Sequence, residues 1–386
     1  MSVMQTYKRF DLNFVQGEGV YLTEKSGEKY LDFVAGIAVN ALGHSHPVIL
    51  KAIEEQSKKL IHISNLYHDD NQIALAQKLV SLGDHHSVFF TNSGTEAIEG
   101  ALKVARKYGR EQGKSKILYM SESFHGRTMG ALAVTGQSKY QEPFAPLIGD
   151  VQQVVFNDKE DFLAKMDEGV CGVIIEPVQG EGGINPVDPD FLNCIREACD
   201  KQDALLIFDE VQAGIGRTGS FFAYQGFDVI PDVIAMAKGL GGGVPIGALM
   251  VNKKADVLTF GDHGCTFGGN PLVTAVSNAV VDTVSNEEFL KEVKAKGEYF
   301  KEKLLPLVEE YDFIKGIKGR GLMIGVSIDT EKMAPGTIVA EAIKHKLLIV
   351  GAGKDTLRLV PPLVVTTGEI DEFMVKFKST LEALKK

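Results

Sequence analysis

Short apolar runs, separated by stretches that read as helix or loop, most constrain how this chain can fold. They are SVFFT (87–91), KILYM (116–120), QVVF (153–156), GVIIE (172–176), ALLIFD (204–209), DVIAMA (232–237) and GALMV (247–251). Each is rich in Val, Ile, Leu or Phe without strict polar alternation, the pattern of strands covered on both faces of a mostly parallel sheet. In the stretch TEAIEGALKVARKYG, Ala97, Ile98, Ala101, Leu102, Ala105 and Tyr108 fall at helical spacing. Alternation repeated this often predicts an α/β unit with a mostly parallel seven-stranded sheet and right-handed crossovers.

The C-terminal third changes character. A long charged amphipathic stretch, NEEFLKEVKAKGEYFKEKLLPLVEEY, precedes the strand candidates GLMIGVSI (321–328) and LLIV (347–350), which predicts a smaller α+β unit. Near the start, GVYLTEKSGEKYLDF reads as a hairpin around Ser26 and Gly27. The expected organisation is an N-terminal segment, 1–45, packed with the small domain, a large α/β domain, 46–270, and a small domain, 271–386. A chain of 386 residues suits two domains of about 100–200 residues each.

Lys and Arg number 41 against 51 Asp and Glu, a formal charge of −10. That balance argues against nonspecific binding of nucleic acid or an anionic membrane, and leaves small molecules as the expected partners. Cys171, Cys194, Cys199 and Cys265 show no CxxC spacing and read as free thiols of a reducing compartment. MSVMQTYKRFDLNF lacks a secretory layout, and no apolar run approaches the roughly 18 residues of a membrane span, so a cytoplasmic protein is expected. GHSHP (43–47) lacks a third metal ligand and reads as a turn; no metal is expected.

In an open parallel sheet, ligands bind outside the carboxyl ends of the strands. Polar residues follow several apolar runs there: the TNSGT loop (91–95), Glu176, Asp209 and Lys238. TNSGT runs into a helix expected to begin near Glu96, and a helix N-terminus with free N–H groups can hold a phosphate, although an ordinary Ser or Thr cap has the same sequence. Asp209 ends five apolar or small residues, where a buried carboxylate needs a cation or strong donors, a structural ion pair included. Lys238 stands one strand–helix–strand unit further on; a lysine there can snorkel to solvent, or lose its proton in a low-dielectric site and attack an aldehyde. Pyridoxal phosphate uses all three features: a lysine for its aldehyde, a carboxylate for its ring nitrogen and a phosphate cradle.

NSGTEA (92–97), SFHGRTMGAL (123–132), EPVQGEGGI (176–184), FDEVQAGIGRTG (208–219), AKGLGGGVPIGA (237–248) and TFGGNPL (266–272), with GIAVNALGH (36–44), carry a resemblance across most of the chain. With these motifs in this order, the sequence resembles the class III, ornithine-type aminotransferases, most nearly their acetylornithine-using branch in bacterial arginine synthesis. The resemblance implies a fold-type I homodimer with active sites at the subunit interface. Lys238 is then the lysine bonded to the cofactor and the proton shuttle, while Asp209 pairs with the ring nitrogen and Gln212 touches the phenolic oxygen. Ser93, Gly94 and Thr95 match the phosphate cradle, Phe124 the ring stack, and Glu210 and Val211 the remaining cofactor contacts. Thr266 would reach the phosphate of the partner subunit's cofactor.

For substrates, Arg127 matches the arginine that takes a substrate carboxylate, and Arg358 the one that takes the α-carboxylate of glutamate. Glu181 resembles the glutamate that pairs with Arg358 when glutamate is absent. Cys265 stands where Ser is common and where substrate contact is possible; Ile98 replaces a usual Asn and reads as helix packing. Ile37 occupies a position where ornithine enzymes tend to carry Tyr, and its apolar side chain favours an acylated donor.

The implied reaction is a ping-pong transamination in which N2-acetylornithine gives its δ-amine and 2-oxoglutarate collects it as glutamate. Ornithine, succinylornithine and 4-aminobutyrate are the alternative donors. A nicotinamide-dependent oxidoreductase is disfavoured, because neither GIGRTG nor GLGGG forms GxGxxG at a first strand-to-helix turn. A noncatalytic cofactor-binding homologue is disfavoured by the intact Lys238 and Asp209.

Overall fold

The computed structural model describes residues 2–385. The first strands are β1 (Phe14–Glu18), β2 (Tyr21–Glu24) and β3 (Lys29–Asp32), followed by β4 (Ser87–Thr91), β5 (Lys116–Met120), β6 (Val151–Val154) and β7 (Val170–Ile175). A two-residue pair, β8 (Val178–Gln179) and β9 (Asn185–Pro186), precedes β10 (Leu205–Asp209), β11 (Val233–Met236) and β12 (Gly247–Val251). The C-terminal third adds β13 (Ile314–Arg320), β14 (Met323–Ile328), β15 (Leu347–Leu348), β16 (Val350–Ala352) and β17 (Thr356–Leu359).

All seven apolar runs enter one sheet of order β4-β12-β11-β10-β7-β5-β6. Only β12 runs against its neighbours, so the sheet is mostly parallel. Alternate residues feed two separate cores. Leu205, Ile207, Val233, Ala235, Leu249 and Val251 face the core beneath the helix Gly94–Arg110. Leu206, Phe208, Ile234, Met236, Ala248 and Met250 face the other core. Covering both faces is what demands the unalternating apolar runs; a Leu or Ile side chain so buried contributes about 1.5–3 kcal/mol. Two boundaries differ from the sequence expectation, because β6 begins at Val151 and releases Val155 and Phe156, while β7 begins at Val170. The first is an edge strand pairing only with β5, and its half-exposed Gln152 and exposed Gln153 do not read as core.

The C-terminal strands form the antiparallel sheet β13-β14-β17-β16. GLMIGVSI thus acquires a hairpin partner, IKGIKGR, whose lysines and glycines conceal it in the sequence. Gly321, at φ +53°, makes their turn where a Cβ would stand 2.6 Å from the Thr218 carbonyl carbon. The LLIV run is divided between sheets: Leu347 pairs in parallel with Leu31 of β3, whereas Val350 pairs with Arg358 of β17. The β2–β3 hairpin turns at Ser26 and Gly27 as expected, with Gly27 at φ +93°.

After β3, Ala35, Gly36, Ile37 and Ala38 all take φ between 49° and 62°, a left-handed turn. Non-glycine residues resist this by about 1–2 kcal/mol each. Asp32 holds it: Oδ1 accepts from Val34 N at 2.8 Å and Ala35 N at 2.9 Å, while Oδ2 lies 2.8 Å from His44 Nε2. His46 caps the helix Pro47–Ser57, so both histidines of GHSHP serve the local backbone. All four cysteines are free. Among the described residues, no group of three or more His, Cys, Asp or Glu could hold a metal, and no helix is long and apolar enough to cross a membrane.

Candidate active site

Adjacent strands β7, β10 and β11 set the centre of the site. Ile175 lies opposite Phe208, and Asp209 opposite Ala235, so Glu176, Asp209 and Lys238 leave neighbouring strands at the same edge. They line a cavity of about 430 Å³ together with Ser93, Gly94, Thr95, Phe124, Arg127, Glu181, Val211 and Gln212.

The Lys238 backbone is held at φ 41°, in the left-handed region, beside Ala237. Burial, and then the positive charge of Arg358, lowers its ammonium to about 8 from 10.5. A neutral, nucleophilic amine is therefore accessible near neutral pH. Asp209 Oδ1 accepts from Val211 N at 3.0 Å, and Oδ2 lies 2.7 Å from His125 Nδ1. Because a carboxylate only accepts, Nδ1 carries the proton of that bond. The buried Nε2 of His125 has no hydrogen-bond partner. His125 has no assigned role in the sequence reading; its signal was its place inside SFHGRTMGAL, between the expected stacking and carboxylate-binding residues.

Glu176 is buried, and its carboxylate accepts from Phe124 N at 3.0 Å and Gly180 N at 3.1 Å. It joins the turn bearing Phe124 and Arg127 to the turn bearing Glu181. Burial pushes its carboxyl up to about 7.

The helix Gly94–Arg110 begins two residues before the expected Glu96, and its N-cap is Ser93, whose Oγ accepts from Glu96 N at 3.4 Å. A Cβ on Gly94 would stand 2.7 Å from Val211 Cγ1, so this close approach requires glycine. The Thr95 hydroxyl is engaged by Arg127 N at 3.3 Å and the Thr128 hydroxyl at 3.0 Å. What Gly94 and Thr95 present to the cavity is a helix start with its positive dipole end. Ile98 is fully buried on this helix, as a packing residue would be.

Arg358 is 1% exposed, and its Nη1 donates to Glu181 Oε1 at 2.7 Å and Gln212 Oε1 at 3.1 Å. An arginine has no acceptor, so the Gln212 amide oxygen must face it, leaving the amide NH₂ for the cavity. Arg127 is exposed and lies over Tyr140, its Cζ 3.9 Å from the ring centroid. Glu210, although adjacent to Asp209, is absent from the cavity wall: its carboxylate accepts from Ala223 N at 2.6 Å and Tyr224 N at 2.8 Å. Ile37 is half-buried in the left-handed turn, and Val39 supplies the cavity wall.

Cys265 and Thr266 lie outside the cavity, in a separate depression of about 350 Å³. Asn92 Nδ2 reaches Cys265 Sγ at 3.1 Å. The depression is lined by Asn92, Glu96, Glu99 and His263 as well as Phe267, which is 58% exposed, and Asn65 Nδ2, donating to Cys265 O at 3.0 Å, brings the neighbouring Leu66 and Tyr67, 85% and 65% exposed, to this side.

The chemistry of this donor set fits pyridoxal phosphate: a half-buried amine that can lose its proton near neutral pH, a carboxylate held by an otherwise orphaned histidine, and a helix start that excludes a side chain. Comparison with known proteins agrees. The aminotransferase class-III family model matches residues 3–381. The acetylornithine aminotransferase of Clostridium acetobutylicum is 48% identical over 387 residues, spanning 98% of this chain and 99% of that protein. That of Aquifex aeolicus is 48% identical over 374 residues, 96% of each. Among solved structures, an ornithine aminotransferase from Toxoplasma gondii aligns with a TM-score of 0.94 at 30% identity, covering 99% of this chain and 93% of that one. An N-acetylornithine aminotransferase from Stenotrophomonas maltophilia aligns with a TM-score of 0.86 at 34% identity, covering 98% and 97%. The nicotinamide alternative is thereby set aside, and the chain belongs to the class-III aminotransferases, pyridoxal-phosphate-dependent enzymes of fold type I.

Proposed function

We propose that this enzyme transfers the δ-amino group of N2-acetylornithine to 2-oxoglutarate, giving N-acetylglutamate 5-semialdehyde and glutamate, a step of arginine biosynthesis. The observation that carries the reading is one cavity lined by a half-buried lysine amine and Arg127, with Arg358 held behind two of its wall residues, Glu181 and Gln212, an arrangement suited to an amine donor and a dicarboxylate acceptor in turn. Near-full-length identity of 48% to proteins named for acetylornithine supports that donor.

Pyridoxal phosphate, when bound, supplies an aldehyde for amine exchange and a ring that accepts electrons as the substrate carbon loses a proton. In this reading Lys238 Nζ would hold the aldehyde between turnovers and, once displaced by the donor amine, would take the proton from the donor's δ-carbon and deliver it to the carbon that receives the amino group. Asp209, held by His125 and Val211 N, would accept from the ring N–H. The N–H groups of Gly94 and Thr95 and the Ser93 cap would hold the phosphate, Phe124 would cover the ring, and the Gln212 NH₂ would donate to the phenolic oxygen. Val211 packs against Gly94, and Glu210 acts by holding Ala223 and Tyr224 in place. Arg127 takes a substrate carboxylate, and Arg358 leaves Glu181 for the α-carboxylate of 2-oxoglutarate.

The same reading makes the enzyme a cytoplasmic homodimer, in which Thr266 reaches the phosphate of the partner subunit's cofactor and Cys265 approaches substrate. The exposed apolar group Leu66, Tyr67 and Phe267 beside them supports a covered surface. Sedimentation that returns only monomer would count against it. Residues 1–45, 46–270 and 271–386 are read as the N-terminal segment, large domain and small domain.

Ornithine is the second reading, favoured by the 0.94 TM-score to the Toxoplasma enzyme. Measuring kcat/KM for acetylornithine, ornithine, succinylornithine and 4-aminobutyrate decides between them. Acetylornithine should lead ornithine by roughly tenfold or more, and ornithine in the lead would overturn the assignment.

A further inference from the structure

Arg127, in the cavity wall, and Arg358, held behind it by Glu181 and Gln212, are fixed in chemically different ways. Arg358 is ion-paired with Glu181 at 2.7 Å. Arg127 instead rests on an aromatic bracket, 3.9 Å from the Tyr140 centroid and 5.2 Å from that of Phe124. Tyr140 comes from the one-turn helix Ser138–Gln141 and meets Phe124 edge-on, with centroids 5.8 Å apart at 82°. It is half-buried and outside the cavity wall, and the exposed Lys139 approaches the same ring at 4.7 Å.

We propose that Tyr140 is a positioning residue for carboxylate recognition, its ring face holding the Arg127 guanidinium ready without engaging its N–H donors. The inference rests on the reading of Arg127 as the carboxylate-binding arginine. An arginine paired with a carboxylate has its charge already compensated and part of its donor fork engaged, so a second carboxylate competes with the first. One stacked on a ring is held through its flat face, so the N–H edges remain available for a bidentate contact. The Arg127 backbone is fixed as well, by Arg127 N donating to Thr95 Oγ1 at 3.3 Å. With backbone and guanidinium both restrained, less side-chain freedom is lost when a carboxylate arrives. The division of labour is then clear: Glu181 makes Arg358 conditional, and Tyr140 keeps Arg127 permanently available to both substrates.

The test compares Tyr140→Leu, Tyr140→Phe and Arg127→Ala in the holoenzyme. Tyr140→Leu should raise KM for both acetylornithine and 2-oxoglutarate about fivefold, equivalent to about 1 kcal/mol, with kcat within about twofold. Tyr140→Phe, which keeps the ring, should restore both values, and the visible absorbance and cofactor dissociation constant should not move in either variant. Added to Arg127→Ala, Tyr140→Leu should change nothing further. Unchanged KM in Tyr140→Leu, an equal loss in Tyr140→Phe, or the same additional loss in the Arg127→Ala background would each overturn the inference. If Tyr140→Leu does not fold, Tyr140→Met keeps the bulk without the ring and is read by the same criteria. Arg127→Ala with both KM values unchanged would remove the reading of Arg127 as well, whereas a rise there beside an unaffected Tyr140→Leu removes only the role of Tyr140.

Discussion

Arg358 and Glu181 form an ion pair that only one of them shares with water: the arginine side chain is 1% exposed and the glutamate 24%. The guanidinium comes from β17 of the small antiparallel sheet, and the carboxylate from the turn after β8. Gly353 N donates to Glu181 O at 2.7 Å, so the turn bearing Glu181 is also tied by its backbone to the loop before β17.

Replacing Glu181 with Ala leaves Arg358 without its internal carboxylate. KM for 2-oxoglutarate should then fall about fivefold, the equivalent of about 1 kcal/mol for a partly solvated pair. Inhibition by the product glutamate should strengthen in parallel, and steady-state kinetics with each substrate varied separately checks both. An unchanged KM would show that the pair does not compete with the acceptor.

Lys238 sets a pH dependence. With its ammonium lowered to about 8, capture of pyridoxal phosphate by the apoenzyme should accelerate as pH rises through 8 and then level off. The positive charge of Arg358 is the second cause of that lowering, after burial. Arg358→Leu removes a charge that disfavours the ammonium, so the midpoint should move upward. Stopped-flow absorbance across pH measures it; a midpoint that stays put or moves down contradicts the electrostatic argument.

His125→Ala removes a donor to the buried Asp209 carboxylate. A hydrogen bond to a charged group contributes about 1.5–3 kcal/mol, so kcat should fall roughly 10- to 100-fold and cofactor binding should weaken. His125→Asn, which can donate, should recover part of the loss. Comparing the two variants by cofactor titration and kcat separates the donor from the ring's bulk.

Gly94→Ala forces a Cβ to within 2.7 Å of Val211. The helix start or Val211 must shift, and overpacking of this kind costs about 1–3 kcal/mol. The cofactor dissociation constant should rise by roughly tenfold while the protein remains folded. Titration with pyridoxal phosphate, monitored beside circular dichroism, measures that separation.

The large sheet was legible in the sequence because strands covered on both faces have to be apolar throughout. Lys238 and Asp209 stood out for the converse reason: a charge at the end of such a run needs a partner or a route to solvent, and the structure places both in the cavity wall. IKGIKGR escaped notice since its lysines and glycines mask the strand, and TLRL since it carries a buried arginine. The left-handed turn at Ala35–Ala38 has no local signal beyond Gly36, because the conformation is imposed by Asp32 and its partner His44. His125 meets Asp209 from 84 residues away, and such a pairing exists only in the fold. Glu210 shows the limit of motif neighbours, as its side chain leaves the strand end toward Ala223 and Tyr224 while Asp209 faces the cavity.

The half-reaction tests the central claim most directly. Purified enzyme loaded with pyridoxal phosphate is mixed with acetylornithine alone, and its visible absorbance is followed. The band should disappear as the amino group is transferred, N-acetylglutamate 5-semialdehyde should appear in equal amount, and 2-oxoglutarate should then restore the band. Lys238→Ala should not complete this cycle, with a loss of about 10²-fold or more. A wild-type band that acetylornithine leaves unchanged while ornithine bleaches it, or full turnover by Lys238→Ala, would contradict the account.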